Sequence, residues 1–164
     1  MSEPSITVLD YGVGNIRSIW TGLRRAGARV IVTSSLEEAL EADGVALPGV
    51  GAFKAAMQRV SSPGRLVEAV EGGLPLLGVC VGFQMLFDSS EEGGFTRGLG
   101  ILKGEVKMLP RTVKLPHIGW NTVSLAREDP LLTGIPDGAY FYFVHSYAPF
   151  GLCPKVVSAT TEHG

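Results

Sequence analysis

The sequence predicts an α/β fold: a mostly parallel central sheet flanked by helices, with an antiparallel extension in the second half. Three observations predict it. Through the first 90 residues, short β-prone runs alternate with segments of helical period. Strand, helix, strand, helix in that order implies parallel pairing through right-handed crossovers. After Gly100 the pattern changes to β-prone runs broken by Pro and Gly, with no strong helix between them. The 164 residues are 45% apolar, enough for a real core, and the length fits one domain spanning residues 1–164.

Taken in order, Ile6-Thr7-Val8-Leu9 reads as the first strand, and Tyr11-Gly12-Val13-Gly14-Asn15 as the turn after it. Ile16, Ile19, Trp20 and Leu23 fall on one helical face, up to Ala26-Gly27. Arg29 to Val32 is the second strand. Ser35-Leu36-Glu37-Glu38 matches a capping box, in which hydroxyl and carboxylate each satisfy an orphan backbone N–H, and it opens a short helix to Ala42. Gly44 to Leu47 is a third strand, ending at Pro48-Gly49. Leu74 to Val79 is a fourth, apolar on both faces as a central parallel strand should be. Ile101 to Leu109, Val113 to Ala126 and Tyr140 to Ala148 read as strands of hairpins or of an antiparallel addition to the sheet.

Composition excludes several function classes. The net charge is −2, and Arg24-Arg25 alone is not the Lys/Arg stripe with which a nucleic-acid reader neutralises phosphates. Glu37-Glu38 and Glu91-Glu92 read as solvated faces. Two cysteines cannot staple a chain this size, which favours a reducing compartment. Met1-Ser2-Glu3-Pro4 lacks the basic stretch and apolar run of a secretory leader. No apolar run approaches the ~20 residues of a bilayer span. The expectation is a cytoplasmic protein with no nucleic-acid or membrane partner. Gly12-Val13-Gly14 after a first strand suggests a dinucleotide fingerprint, but its third glycine would fall at Arg17, so a plain turn is the better reading.

The informative stretch is Gly78-Val79-Cys80-Val81-Gly82-Phe83-Gln84. A strand runs straight into a helix, with glycine two before and two after the cysteine. This is the nucleophile-elbow pattern with sulfur in place of oxygen. So sharp a turn strains the nucleophile's backbone and needs small neighbours. A helix N-terminus favours thiolate, the nucleophilic form, and the Val81 N–H can donate to an oxyanion. The competing reading of Cys80 is an inert core cysteine. Pro48-Gly49-Val50-Gly51 follows a strand end, where parallel sheets hold ligands. Its N–H groups complete an oxyanion hole with Val81, or it is an ordinary turn. Cys153, beside Pro154 in a turn, has no such frame and reads as structural.

With these motifs the chain resembles class I (triad-type) glutamine amidotransferase domains. It is similar, more closely, to the glutaminase-subunit family of imidazole glycerol phosphate synthases. Pro48-Gly49-Val50-Gly51 and Gly78 to Gln84 carry the general resemblance. Asp10 to Asn15, Pro116-His117-Ile118-Gly119-Trp120-Asn121 and Tyr142-Phe143-Val144-His145-Ser146-Tyr147 carry the narrower one. The resemblance implies that Cys80 attacks the side-chain amide of glutamine, giving a thioester and ammonia, and that water then releases glutamate. It implies oxyanion donors at Val50 and Val81, and glutamine binding at Gly49, Gly51, Gln84, Glu92, Ser146 and Tyr147. It implies a (β/α)8-barrel synthase partner in a heterodimer, faced by Asn15, Trp120 and Tyr142. There the ammonia yields imidazole glycerol phosphate and aminoimidazole carboxamide ribonucleotide, in histidine biosynthesis. No metal or organic cofactor is implied.

Two departures stand out. Val81 replaces the family's usual Leu, which keeps the N–H. The family's base is a His oriented by a Glu in a Phe-His-Pro-Glu segment, absent from residues 1–164. Glu162-His163 does not replace it, because neighbours on a strand face opposite ways. His117 and His145 read as satisfied structural or interface histidines. The expectation is a domain incomplete at its C-terminus: part of a longer protein, a fragment, or a shortened inactive subunit. Three functional readings follow: a glutaminase subunit, a docking module without chemistry, or another cysteine-elbow enzyme of the same fold.

Overall fold

A computed structural model of the protein describes residues 3–164; Met1 and Ser2, the start of the stretch read as lacking a leader, lie outside the described residues. The chain opens with β1 (Ser5–Leu9), α1 (Ile16–Arg25), β2 (Arg29–Thr33), α2 (Leu36–Ala39) and β3 (Gly44–Leu47). Then come α3 (Phe53–Met57), α4 (Pro63–Glu71), β4 (Leu76–Gly78) and α5 (Val81–Gln84). The four strands form one parallel sheet in the order β2-β1-β3-β4, as alternation of strand and helix predicts. Asp43 pins the start of β3 to that of β1. Its carboxylate accepts from the Ser5 N–H at 2.8 Å and the Ser5 hydroxyl at 2.9 Å, which holds its carboxyl below the usual carboxylate range. The core packs Leu9, Leu36, Leu47, Phe53, Leu66 and Met85.

The first three strands and α1 lie where the periodicity puts them. α2 is shorter than expected, and its cap differs from a capping box. The Ser35 hydroxyl accepts from the Glu38 N–H at 3.3 Å. The Glu38 carboxylate, however, accepts from the Thr33 hydroxyl at 2.6 Å, and that same oxygen takes the Ser35 N–H at 3.0 Å. A β-branched hydroxyl at the end of β2 thus stands in for the reciprocal half of the box. β4 also departs from expectation. It has three half-buried residues and is the outer strand of its sheet among the described residues. Apolar composition on both faces did not distinguish a central strand from an edge.

The second half holds β5 (Phe87–Ser90), β6 (Thr96–Arg97), β7 (Leu102–Met108), β8 (His117–Thr122), β9 (Ser124–Leu125), β10 (Tyr140–His145), β11 (Tyr147–Phe150) and β12 (Ala159–Thr160). These strands are mostly antiparallel, but they build separate ladders and add no strand to the first sheet. β8 and β10 form a two-stranded ribbon with Trp120 opposite Tyr142 and His117 opposite His145. β11 and β6 flank a parallel β7–β5 pair. The run Tyr140 to Ala148 is therefore two strands, broken at Ser146, which lets its ends serve different ladders. Among the described residues no helix is long and apolar enough to cross a membrane.

Candidate active site

Cys80 joins β4 to α5 with φ 55° and ψ −118°. Such a backbone conformation costs a residue bearing a Cβ about 1–3 kcal/mol. Packing of backbone on backbone holds it there. A Cβ on Gly82 would meet the Leu47 carbonyl oxygen at 1.9 Å. A Cβ on Gly49 would meet the Gly82 nitrogen at 2.4 Å, and one on Gly78 the Phe83 Cα at 2.6 Å. The ends of β3 and β4 therefore interlock at positions only glycine can fill. The glycines flanking Cys80 serve close approach, and the strain falls on the cysteine itself. α5 has only four residues, so its dipole is far smaller than a long helix would give; the expected helix is present but short.

The first glycine-rich turn joins the same knot. A Cβ on Gly14 would lie 2.7 Å from the Pro48 Cβ. The Tyr11 hydroxyl donates to the Pro48 carbonyl and lies 3.7 Å from Met85 Sδ. Burial, and then the charge on Cys80, push the Tyr11 hydroxyl up to about 12. Sequence reasoning gave Tyr11 no role. Its place in the Asp10 to Asn15 motif was the only signal. The Tyr11→Phe variant leaves the Pro48 carbonyl without this donor and is expected to unfold at lower urea, by about 1–3 kcal/mol. Because the folded-state value lies above the unfolded one, Tyr11 favours the folded state fully below about pH 10, and that contribution fades as pH rises toward 12. In the phenylalanine variant this part of the alkaline decline in stability is absent.

A cavity of about 360 Å³ opens over Cys80 and brings together Val50, Gly51, Val81, Gln84, Glu92, Ser146 and Tyr147. Cys80 is exposed, and Val50 is 50% exposed. Val81 is the first residue of α5, so its N–H has no acceptor within the helix. Gly49 is not among the residues lining the cavity; it packs on Gly82. Gln84 is buried, and its Nε2 donates to the Tyr147 carbonyl at 3.2 Å. The Glu92 carboxylate accepts from the Phe53 N–H at 2.8 Å, and Glu91 accepts from the Met108 N–H at 2.8 Å. Glu91 is exposed, as a solvated face requires, although its carboxylate also takes a backbone donor, while Glu92 is half-buried and lines the cavity.

His145 also lines this cavity, which its motif alone did not reveal. Both its ring nitrogens are engaged. Nδ1 lies 3.1 Å from the Tyr147 carbonyl and Nε2 3.1 Å from His117 Nδ1. His117 is buried, and burial, then His163 and His145, hold its imidazole below the ordinary histidine range. His163 stacks on His117 with ring centroids 4.0 Å apart, and its Nε2 lies 2.7 Å from the Lys114 carbonyl. Trp120 and Tyr142 meet edge to face at 5.7 Å on the ribbon and are 71% and 57% exposed. Asn15 stands on another element, capping α1 through the Ser18 N–H at 3.2 Å. Cys153 is free and exposed before a single 3-10 turn. Among the described residues no group of three His, Cys, Asp or Glu side chains could hold a metal ion.

A strained thiol locked against a Pro-Gly-Val-Gly turn on a parallel sheet narrows the class of protein sharply. The chain belongs to the class I glutamine amidotransferase family, which residues 7–163 match. A solved glutamine amidotransferase superposes with a TM-score of 0.73 at 18% identity, covering 94% of this chain and 78% of that one. PurLQS from Thermotoga maritima gives 0.70 at 18%, covering 98% and 75%. At that identity the likeness speaks for the fold alone. Within the family the chain groups with proteins named imidazole glycerol phosphate synthase subunit HisH. It is 49% identical to that of Moorella thermoacetica over 97% of this chain and 77% of the relative. It is 46% identical to that of Bacillus cereus over the same shares, and 46% identical to that of Methanosarcina acetivorans over 87% and 71%.

Proposed function

We propose that the protein is the glutaminase subunit of an imidazole glycerol phosphate synthase. It hydrolyses glutamine at Cys80 and passes the ammonia to a (β/α)8-barrel cyclase subunit in a heterodimer. The observation that carries this reading is the strained, solvent-reachable Cys80 beside an orphan Val81 N–H, lining a cavity large enough to admit glutamine. The Cys80 thiolate attacks the carboxamide carbon. The resulting oxyanion is held by the N–H groups of Val81 and Val50. Protonation of the nitrogen and collapse expel ammonia and leave a thioester. Water adds to that thioester, the C–S bond breaks, and glutamate departs with the thiol restored. Gly51, Gln84, Glu92, Ser146 and Tyr147 hold the amino-acid end, with Glu92 supplying negative charge for the α-ammonium group. Gly49 holds the Pro48 turn in place.

No metal or organic cofactor is needed for these steps. The described histidines do not supply the base, because His145, which shares the cavity, has both ring nitrogens committed. Two free, exposed cysteines suit a reducing cytoplasm. Trp120 and Tyr142, with Asn15, form the surface that meets the barrel subunit. Trp120→Ala is expected to weaken the heterodimer by about tenfold or more, with no change in folding, because the ring is 71% exposed. Sedimentation of the mixed subunits measures it; unchanged association would remove Trp120 from the interface.

A further inference from the structure

We propose that His117 is a positioning residue for the glutamine cavity: acting through His145, it fixes the Tyr147 carbonyl against which Gln84 is held. The inference rests on the reading of that cavity as a glutamine site. Its basis is a hydrogen-bonded chain whose direction follows from chemistry at one end. The Tyr147 carbonyl can only accept. It takes Gln84 Nε2 at 3.2 Å and His145 Nδ1 at 3.1 Å, so His145 carries its proton on Nδ1. In the neutral ring His145 Nε2 is then an acceptor. The group facing it at 3.1 Å is His117 Nδ1, which must be the donor. His117 Nε2 is left as an acceptor and lies 3.2 Å from Asn121 Nδ2. The same amide nitrogen donates to the Glu162 carbonyl at 2.6 Å. Every link has one consistent assignment.

Packing fixes the ring as firmly as bonding does. His117 is 4% exposed. It lies between Phe143, stacked at 4.8 Å and 11°, and His163, stacked at 4.0 Å and 17°. A ring clamped on both faces cannot turn its Nδ1 away from His145. His117 and His145 are opposite residues of the β8–β10 ribbon, whereas Tyr147 opens β11 and Gln84 closes α5. The chain therefore ties three elements to the wall of one cavity. Trp120 and Asn121 are adjacent on β8: the first faces solvent, and the second begins the chain. Displacement of β8 would be felt at Tyr147 through no more than two rings. Without the His117 donor, His145 can adopt the other tautomer or rotate, and the Tyr147 carbonyl and Gln84 lose their common anchor.

The test separates recognition of glutamine from reactivity of the thiol. Cys80 alkylation is timed with 6-diazo-5-oxo-L-norleucine, which has the shape of glutamine, and with iodoacetamide, which does not. In His117→Leu the ratio of the two rates is expected to fall about tenfold, with iodoacetamide unchanged. His117→Asn places an amide N–H near the position of Nδ1 and is expected to restore the ratio to within about threefold. In the assembled synthase the leucine variant raises KM for glutamine and changes kcat little. An unchanged ratio in His117→Leu, or failure of asparagine to rescue it, overturns the positioning role. If the wild-type protein reacts at Cys80 with iodoacetamide but not with the diazoketone, the glutamine reading itself fails. Should His117→Leu not fold, nitrogen-15 NMR of the wild-type imidazoles decides. The structure requires the Nδ1–H tautomer on both His117 and His145, and the Nε2–H form on either one contradicts it.

Discussion

Replacing Cys80 by alanine is expected to abolish glutamate release in the assembled synthase, by about a thousandfold or more, while the complex still forms. The size of the effect follows from covalent chemistry. Among the described residues Cys80 is the thiol at the junction of β4 and α5, and without it the proposed oxyanion donors at Val50 and Val81 would have no tetrahedral species to hold. The variant also relieves nothing structural, since alanine at φ 55° bears the same Cβ as cysteine. Its stability should therefore match the parent closely. Synthesis driven by free ammonia should persist, because that route bypasses the thiol. Glutamine-dependent turnover surviving in Cys80→Ala would remove Cys80 from the mechanism.

Gly82→Ala is expected to produce one of the largest losses of stability among the glycine-to-alanine changes in this chain. The new carbon would sit 1.9 Å from the Leu47 carbonyl oxygen and 3.0 Å from that of Pro48. Both neighbours are backbone, and Leu47 is fully buried at the end of a strand paired on both sides. Relief requires moving β3 or the elbow. A cost of about 3 kcal/mol or more is expected from overpacking, against a total stability of only about 5–15 kcal/mol for a domain. Urea denaturation measures it. Gly22→Ala is the control: a Cβ there meets nothing within 4 Å, and a helix interior favours alanine by about 1 kcal/mol. Equal behaviour of the two variants would mean that β3 and the elbow are not interlocked.

The parts of this structure legible in the sequence are those governed by local chemistry. Arg29 to Val32 and Gly44 to Leu47 announce strands by β-branched and apolar runs, and Ile16, Ile19, Trp20 and Leu23 announce a helix by spacing. The elbow is legible because Gly78, Cys80 and Gly82 must fall two apart. What stayed hidden depends on contacts across the fold. The Glu92 carboxylate looks like half of a surface pair with the exposed Glu91 until the Phe53 N–H is brought to it. β4 reads as central because apolar composition does not record which strand pairs beside it. Tyr147 looks continuous with Tyr140 to His145, although a break at Ser146 sends the two strands to different ladders. The link from His117 to the cavity required the β8–β10 register, which no local pattern encodes.

The most direct test of the account is a competition at the two cysteines. Both Cys80 and Cys153 are free and exposed, so accessibility alone does not separate them. The protein is treated with 6-diazo-5-oxo-L-norleucine, with and without saturating glutamine, and the label is located by peptide mass mapping. The account predicts one label, on Cys80, suppressed by glutamine, with Cys153 unmodified. Labelling of both cysteines alike, or of Cys80 at a rate glutamine does not change, would contradict it.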